Sequence, residues 1–250
     1  MTKISLIMAI HNEEAYLPKS LSALKENENE IDEFIFILDR CIDNSERIVK
    51  SFFPNAKIII KNKCKWKNSY AENLQLGFQH STGDIIFILD ADIRIPKNLI
   101  KTLLPKLKGK IASVSPKIVT DKNASLLNLL YYYWEKTYRI APLGKEPRGG
   151  CRLIKRKCLE EVNGFKDVIA PDTQLDLDLR KMGYESKFVE NVICYHLRKF
   201  SFKKAMNSQI MAGRMRKQIN MPFWRVLGHS ILRIRPLVIL GYLKEALNKQ

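Results

Sequence analysis

Gly83-Asp84-Ile85-Ile86-Phe87-Ile88-Leu89-Asp90-Ala91-Asp92 decides how this chain folds. An unbroken apolar run entered through a Gly-Asp turn reads as a buried strand. Two carboxylates one residue apart at its C-terminal end stand where open α/β sheets gather their ligands. Side by side they repel each other and resist desolvation. A hard divalent cation such as Mg²⁺ or Mn²⁺, bridging them to a diphosphate, removes that conflict, because such ions take oxygen from protein and phosphate alike. A lone Asp-x-Asp is short and more often a solvated turn, so its meaning depends on the rest of the chain.

Working outward, apolar runs at Ile4–Ala9, Phe34–Leu38 and Lys57–Ile60 resemble Ile85–Leu89, and helical patterns lie between them at Ala15–Lys25, Ser45–Phe53 and Ala71–His80. Asn44 and Asn68 stand where N-caps belong. Strands alternating with helices predict an α/β fold, a mostly parallel Rossmann-like sheet flanked by helices. Beyond Asp92, Pro96 opens a helix through Leu107, and Ile111–Val119 reads as a strand interrupted at Pro116. Leu126–Tyr138 is apolar and aromatic, and Ala141–Gly150 is a Gly- and Pro-rich loop over a site. Helices near Lys157–Val162 and Leu175–Met182 and a strand at Val192–Tyr195 follow, with helices only after that. The expected organisation is a catalytic domain over 1–200 and a basic, amphipathic helical extension over 201–250.

The formal net charge is +17. From Leu197 to Gln250 there are twelve Lys and Arg against one acid, Glu245. Such a segment suits anionic lipid, nucleic acid or a phosphate-bearing substrate. The five cysteines include no Cys-x-x-Cys pair, which argues against a zinc site or a disulfide framework and for reduced thiols in a cytoplasmic protein. No apolar run approaches the roughly 18 residues of a membrane span, and the chain enters a strand at once, without the pattern of a secretory leader.

The order of motifs resembles the family 2 glycosyltransferases of GT-A type. Ser5-Leu6-Ile7-Met8-Ala9-Ile10-His11-Asn12-Glu13-Glu14 is similar to that family's first strand and Asn-Glu turn. Ile37-Leu38-Asp39-Arg40-Cys41-Ile42-Asp43-Asn44-Ser45 is placed like its second strand and acidic loop. Ala71-Glu72-Asn73, Gly83-Asp84 and Asp90-Ala91-Asp92 follow, then Val162-Asn163-Gly164-Phe165, similar to a Gly-Gly-Phe turn, and Asp172-Thr173, similar to a Glu-Asp motif. Leu38 stands where the family often has a first Asp, and Pro171 stands where Glu would precede Asp172.

The resemblance implies an inverting, metal-dependent enzyme that moves a hexose from a UDP- or GDP-sugar to a lipid-linked or glycan acceptor. Asp92 would hold the cation, with Asp90 on the ribose or the same metal, and His196 is a further ligand or a hydrogen-bonded strand-end histidine. Asp172 would be the general base, or a helix N-cap, with Asp176 as the fallback base. Asp39 would accept the imide N–H of uracil or guanine, and Ala9, His11 and Glu13 would line the nucleotide. Arg148 or Arg198 would meet the diphosphate. Phe223, Trp224 and the apolar residues up to Leu247, interspersed with Arg225, Arg233 and Arg235, suit an interfacial helix on anionic lipid, in preference to a helical pair packed on the catalytic core or a dimer contact. The expected location is the cytoplasmic face of the membrane, as a peripheral protein. A sugar-phosphate nucleotidyltransferase would carry a Gly-rich first loop for triphosphate, which Ala9–Glu14 lacks. A basic nucleic-acid-binding protein would show one of the known recognition signatures, and none is present.

Overall fold

The computed structural model describes residues 2–136 and 149–247. Its core is an eight-stranded sheet in the order β3-β2-β1-β4-β7-β6-β8-β5. The strands are β1 (Ile4–Ile10), β2 (Glu33–Asp39), β3 (Lys57–Lys61), β4 (Ile85–Leu89), β5 (Ile93–Arg94), β6 (Ile111–Thr120), β7 (Cys151–Lys155) and β8 (Glu185–His196). β3, β2, β1 and β4 run parallel, and the antiparallel pairings begin where β7 joins β4. The helices α1 (Leu17–Lys25), α2 (Ser45–Phe52) and α3 (Ser69–Gln79) connect the parallel strands, as right-twisted parallel strands require. Beyond them lie α4 (Leu99–Leu103), α6 (Arg156–Glu161) and α7 (Pro171–Lys181), with α5 (Leu126–Glu135) between α4 and α6 in the chain.

The unbroken apolar strands are explained by burial on both faces. Leu6, Met8, Phe36, Leu38, Phe87 and Leu89 enter one apolar cluster. Their alternates Ile7, Ile35, Ile37, Ile86 and Ile88 enter another on the opposite side. This period of two is what strand geometry imposes. Two expectations shift. Pro116 lies inside a continuous β6, and the helix expected over Pro96–Leu107 is α4 followed by a 3₁₀ turn at Leu104–Lys106. Of the two asparagine caps, Asn68 accepts from Tyr70 N at 3.0 Å and Ala71 N at 3.2 Å, whereas the Asn44 side chain makes no cap bond.

The described chain forms two compact units, and they are not a single cut in the sequence. The sheet unit comprises Met1–Val119 and Glu146–Leu197; Thr120–Lys145 groups with Arg198–Gln250 in the other. The second unit contains α5, α8 (Phe202–Gln218), α9 (Phe223–Leu232) and α10 (Leu237–Leu247). α8 and α10 approach so closely that a Cβ on Gly213 would collide with the Val238 carbonyl, and one on Gly241 with that of Ile210. Val226, Val238 and Tyr242 form a small core there. Among the described residues, no helix is long and apolar enough to cross a membrane.

Candidate functional site

The ends of β1 and β2 place the first group of side chains. Ala9 lies opposite Ile37 in register. His11 Nδ1 is 2.6 Å from the Asp39 carbonyl oxygen. The Glu13 carbonyl accepts from Tyr16 N and Leu17 N, which starts α1, while its own N–H donates to Ser45 Oγ at 3.0 Å. Ala9, His11, Glu13 and Asp39 thus stand together at neighbouring strand ends.

Asp39 is buried and heavily coordinated. It accepts from Arg40 Nε at 2.8 Å, from Asn73 Nδ2 at 3.0 Å and from Ser69 Oγ, and the Lys61 ammonium is 3.4 Å away. Burial alone would raise its pKa. The hydrogen bonds from Arg40, Ser69 and Asn73 and the charge of Lys61 outweigh that and hold it far below the usual carboxylate range. Arg40 reaches this position with φ +51°, in the left-handed region. Lys61 also meets Glu72 at 3.0 Å. Burial opposes this carboxylate too, yet the Lys61, Cys64 and Lys65 contacts bring it down to about 2.

The end of β4 places the second group. Asp90 N donates to Gly150 O at 2.7 Å, and Asp90 Oδ1 accepts from Tyr70 OH at 2.8 Å. Burial, then the Asp90 carboxylate, pushes that phenol well above its ordinary value. Asp92 is buried, and its carbonyl accepts Leu197 N at 2.8 Å. The short β5–β8 ladder sets His196 opposite Ile93, which brings His196 Nε2 to 3.4 Å from Asp92 Oδ2. Among the described residues no group of three or more His, Cys, Asp or Glu side chains is placed to hold a metal ion.

Asp172 and Asp176 separate clearly. Asp172 lies in the first turn of α7, after Pro171; the N-cap position is Ala170, so the capping role considered for Asp172 is not the one it takes. Its Oδ2 accepts from Gly149 N at 3.2 Å. A Cβ on Gly149 would meet the Asp172 side chain at 2.6 Å, and one on Gly150 would collide with Asp90 Oδ2. The Gly-Gly turn therefore packs against Asp90 on one side and Asp172 on the other, which only residues without a side chain permit. Asp176 is instead bound to Arg152 Nη2 at 2.6 Å and to Ser186 Oγ. Arg152 is fully buried in β7, its Nε and Nη2 also donating to Ser113 Oγ at 3.0 and 2.8 Å.

Arg148 lies outside the described residues, as does most of the loop expected over Ala141–Gly150. Arg198 begins the last stretch of the helical unit, where its carbonyl accepts from Asn128 Nδ2 at 3.2 Å. Lys61, Tyr70 and Arg152 had no place in the sequence reading, and Ser69 entered it only beside Asn68 at a helix cap. Arg152 had a signal, a charge inside an otherwise apolar strand; the others sit in ordinary helical or strand-end surroundings. The Asn163-Gly164 turn has φ values of +61° and +73°. A Cβ on Gly164 would collide with Gln75 Oε1, which accepts Phe165 N at 2.8 Å.

Comparison with known proteins identifies the family and the fold. A family model described as "Glycosyl transferase family 2" matches residues 5–162. Over 216 residues the chain is 25% identical to a "Probable glycosyltransferase YdaM" of Bacillus subtilis, covering 78% of this chain and 50% of that protein. It is 32% identical over 120 residues to an undecaprenyl-phosphate 4-deoxy-4-formamido-L-arabinose transferase of Shewanella sediminis (44% and 35%), and 25% identical over 167 residues to a bactoprenol glucosyl transferase of Shigella phage SfX (64% and 54%). The chain thus spans about half or less of the length of these relatives. Among solved structures, the mannosyltransferase PcManGT of Pyrobaculum calidifontis, in complex with GDP-Man and Mn²⁺, superposes with a TM-score of 0.67 at 18% identity, over 97% of this chain and 70% of that one. Glucosyl-3-phosphoglycerate synthase of Mycobacterium tuberculosis, in complex with Mn²⁺, UDP and glucosyl-3-phosphoglycerate, gives 0.61 at 18% identity, over 84% and 78%. These likenesses establish the GT-A fold, and the family model matches more than half of the sequence: the chain belongs to glycosyl transferase family 2.

Proposed function

We propose that this chain transfers a hexose from a UDP- or GDP-linked donor to a lipid-linked or glycan acceptor, with inversion at the anomeric carbon and with Mg²⁺ or Mn²⁺ bound. The observation that carries this reading is the placement of Asp92 beside His196 just past β4, and of Asp90 and Asp172 against the Gly149-Gly150 turn. Among the described residues Asp90, Asp92 and His196 do not come together as a three-ligand group; Asp92 with His196 at 3.4 Å is a pair of donors that a hard divalent cation takes, and diphosphate oxygens suit the remaining positions. Asp92 and His196 would hold the ion, with Asp90 on the ribose or the same metal; when bound, the ion would neutralise the departing nucleoside diphosphate. The solved structures named for GDP-Man or UDP together with Mn²⁺ support that choice of donor and ion.

The chain's own residues divide the remaining work. Asp172 is the general base of this reading, removing the acceptor hydroxyl proton as that oxygen attacks. Asp176 is not, because its carboxylate is committed to Arg152 and Ser186. Asp39 is held ionised and is an acceptor only, which matches the N–H that uracil and guanine each present. Ala9, His11 and Glu13 line the nucleotide beside it, and Arg148 serves the diphosphate. Two relatives carry a lipid carrier in their names, undecaprenyl phosphate and bactoprenol, which supports a lipid-linked acceptor and a peripheral place at the cytoplasmic membrane face.

The test is release of UDP or GDP from hexose donors in the presence of a lipid phosphate acceptor. The expected result is release that requires Mn²⁺ or Mg²⁺ and is lost in Asp92→Asn. Release of pyrophosphate from a nucleoside triphosphate, with no turnover of hexose donors, would overturn the reading.

A further inference from the structure

Helix α5 of the helical unit is built inside out. Its one fully buried side chain is the polar Asn128, while Leu126 and Leu130 are 73% and 59% exposed. This rotation is enforced. Asn128 Nδ2 donates to the carbonyls of Asp121 and Arg198, both at 3.2 Å, and Oδ1 accepts from Phe200 N and Ser125 Oγ, both at 2.8 Å. All four hydrogen-bonding valences of the amide are used. With about 100° per residue, Leu126, Leu130 and Tyr133 then fall on the opposite side of the helix. Aromatic contacts tie this helix to the start of α8: Tyr131 to Phe200 at 4.9 Å, and Phe200 to Phe202 at 4.9 Å.

α9 buries Val226 with His229 and Ser230, and turns Trp224 and Ile231, 72% and 68% exposed, outward. Apolar faces turned outward on two helices of one unit mark an interaction surface. Its surroundings are cationic. The Lys136 ammonium lies 5.1 and 4.7 Å from the ring centroids of Tyr132 and Tyr133, and the Lys122 ammonium 5.9 Å from that of Tyr132. The stretch after Leu197 carries twelve basic residues against one acid. A second copy seated on this surface would bring two such segments together, which their charge opposes. An anionic bilayer satisfies both features at once, apolar insertion and basic flanks.

We infer that α5, with the start of α8, is a membrane-inserting surface for anionic lipid, additional to the C-terminal segment. This extends the lipid part of the proposed function and uses none of the residues assigned to the transfer chemistry. The test is flotation of the whole chain on vesicles of phosphatidylcholine alone and of phosphatidylcholine with phosphatidylglycerol. The expected result is recovery with the anionic vesicles. Leu126→Ser combined with Leu130→Ser should lower the vesicle partition coefficient at least ~100-fold, as loss of two inserting leucines implies, with an unchanged nucleotide and Mn²⁺ thermal shift. If that pair fails to fold, Trp134 in α5 reports independently: in Trp66→Phe with Trp224→Phe, anionic vesicles containing brominated lipid should quench its fluorescence. Undiminished flotation of the folded serine variant, equal recovery on neutral vesicles, no quenching, or a dimer that the serine pair splits would each overturn the inference. Loss of hexose transfer with flotation intact would count against the reaction and leave this surface standing.

Discussion

Asp172 and Asp176 are one helical turn apart, yet their partners give them different work. Asp172→Asn should lower transfer by about 10²–10⁴-fold, the usual worth of a general base, and leave nucleotide binding intact. Asp176→Asn should act on stability instead, by about 3–5 kcal/mol, because it strands the buried Arg152 charge; rate assays beside thermal melts separate the two effects. The reverse pattern would make Asp176 the base. Asp39 and Glu72 predict an acid limb. Their folded pKa values are depressed, so the stability they contribute is present above the unfolded values and is lost as pH falls. For Glu72 that window runs from 4.5 down to about 2, and for Asp39 it extends lower. Melts below pH ~4.5 should show this decline, and Asp39→Asn should flatten it. The carboxylates were legible in the sequence because strand ends expose them as motifs. Arg152, Ser113 and Ser186 were not, because they come from three strands far apart in the chain and only the fold makes them neighbours.

The alternating strands and helices of the first ninety residues could be read directly, because β1, β2 and β4 are buried on both faces and their apolar runs are uninterrupted, while the edge strand β3 keeps an Ile-rich run. β8 was read only over its apolar end. Its earlier half alternates charged and apolar residues, Glu185-Ser186-Lys187-Phe188-Val189-Glu190, which weakens the signal of a strand with one exposed face. β5 has two residues and exists only because β8 pairs with it, yet that pairing brings His196 to Asp92. His196→Gln should therefore raise the Mn²⁺ concentration needed for half-maximal nucleotide stabilisation. An unchanged requirement would reduce His196 to a strand-end residue. Helix α3 depends on its cap: Asn68 also donates to the Val168 carbonyl at 2.6 Å. Asn68→Ala should cost at least about 1 kcal/mol in denaturant melts; no loss would mean that the cap is redundant.

The whole chain combines a GT-A sheet unit with a basic helical unit that has a small apolar core and also exposes apolar side chains of α5 and α9. The second unit could not be delimited from sequence, because Thr120–Lys145 joins it from the middle of the chain. The high positive charge lies mainly after Leu197, away in sequence from the acidic strand ends that would hold the cation. The proposed donor site lies wholly in the sheet unit and can be tested alone. The measurement is a thermal-shift panel of UDP, GDP, CDP and ADP, each with and without Mn²⁺, on the wild-type chain and on Asp92→Asn. Ligands that bind the native state raise its melting temperature by mass action. The predicted result is a Mn²⁺-dependent rise with UDP or GDP, absent with CDP and ADP and lost in Asp92→Asn. No rise with any nucleotide, or one that needs neither Mn²⁺ nor Asp92, would contradict a cation-assisted nucleotide-sugar site at the end of β4.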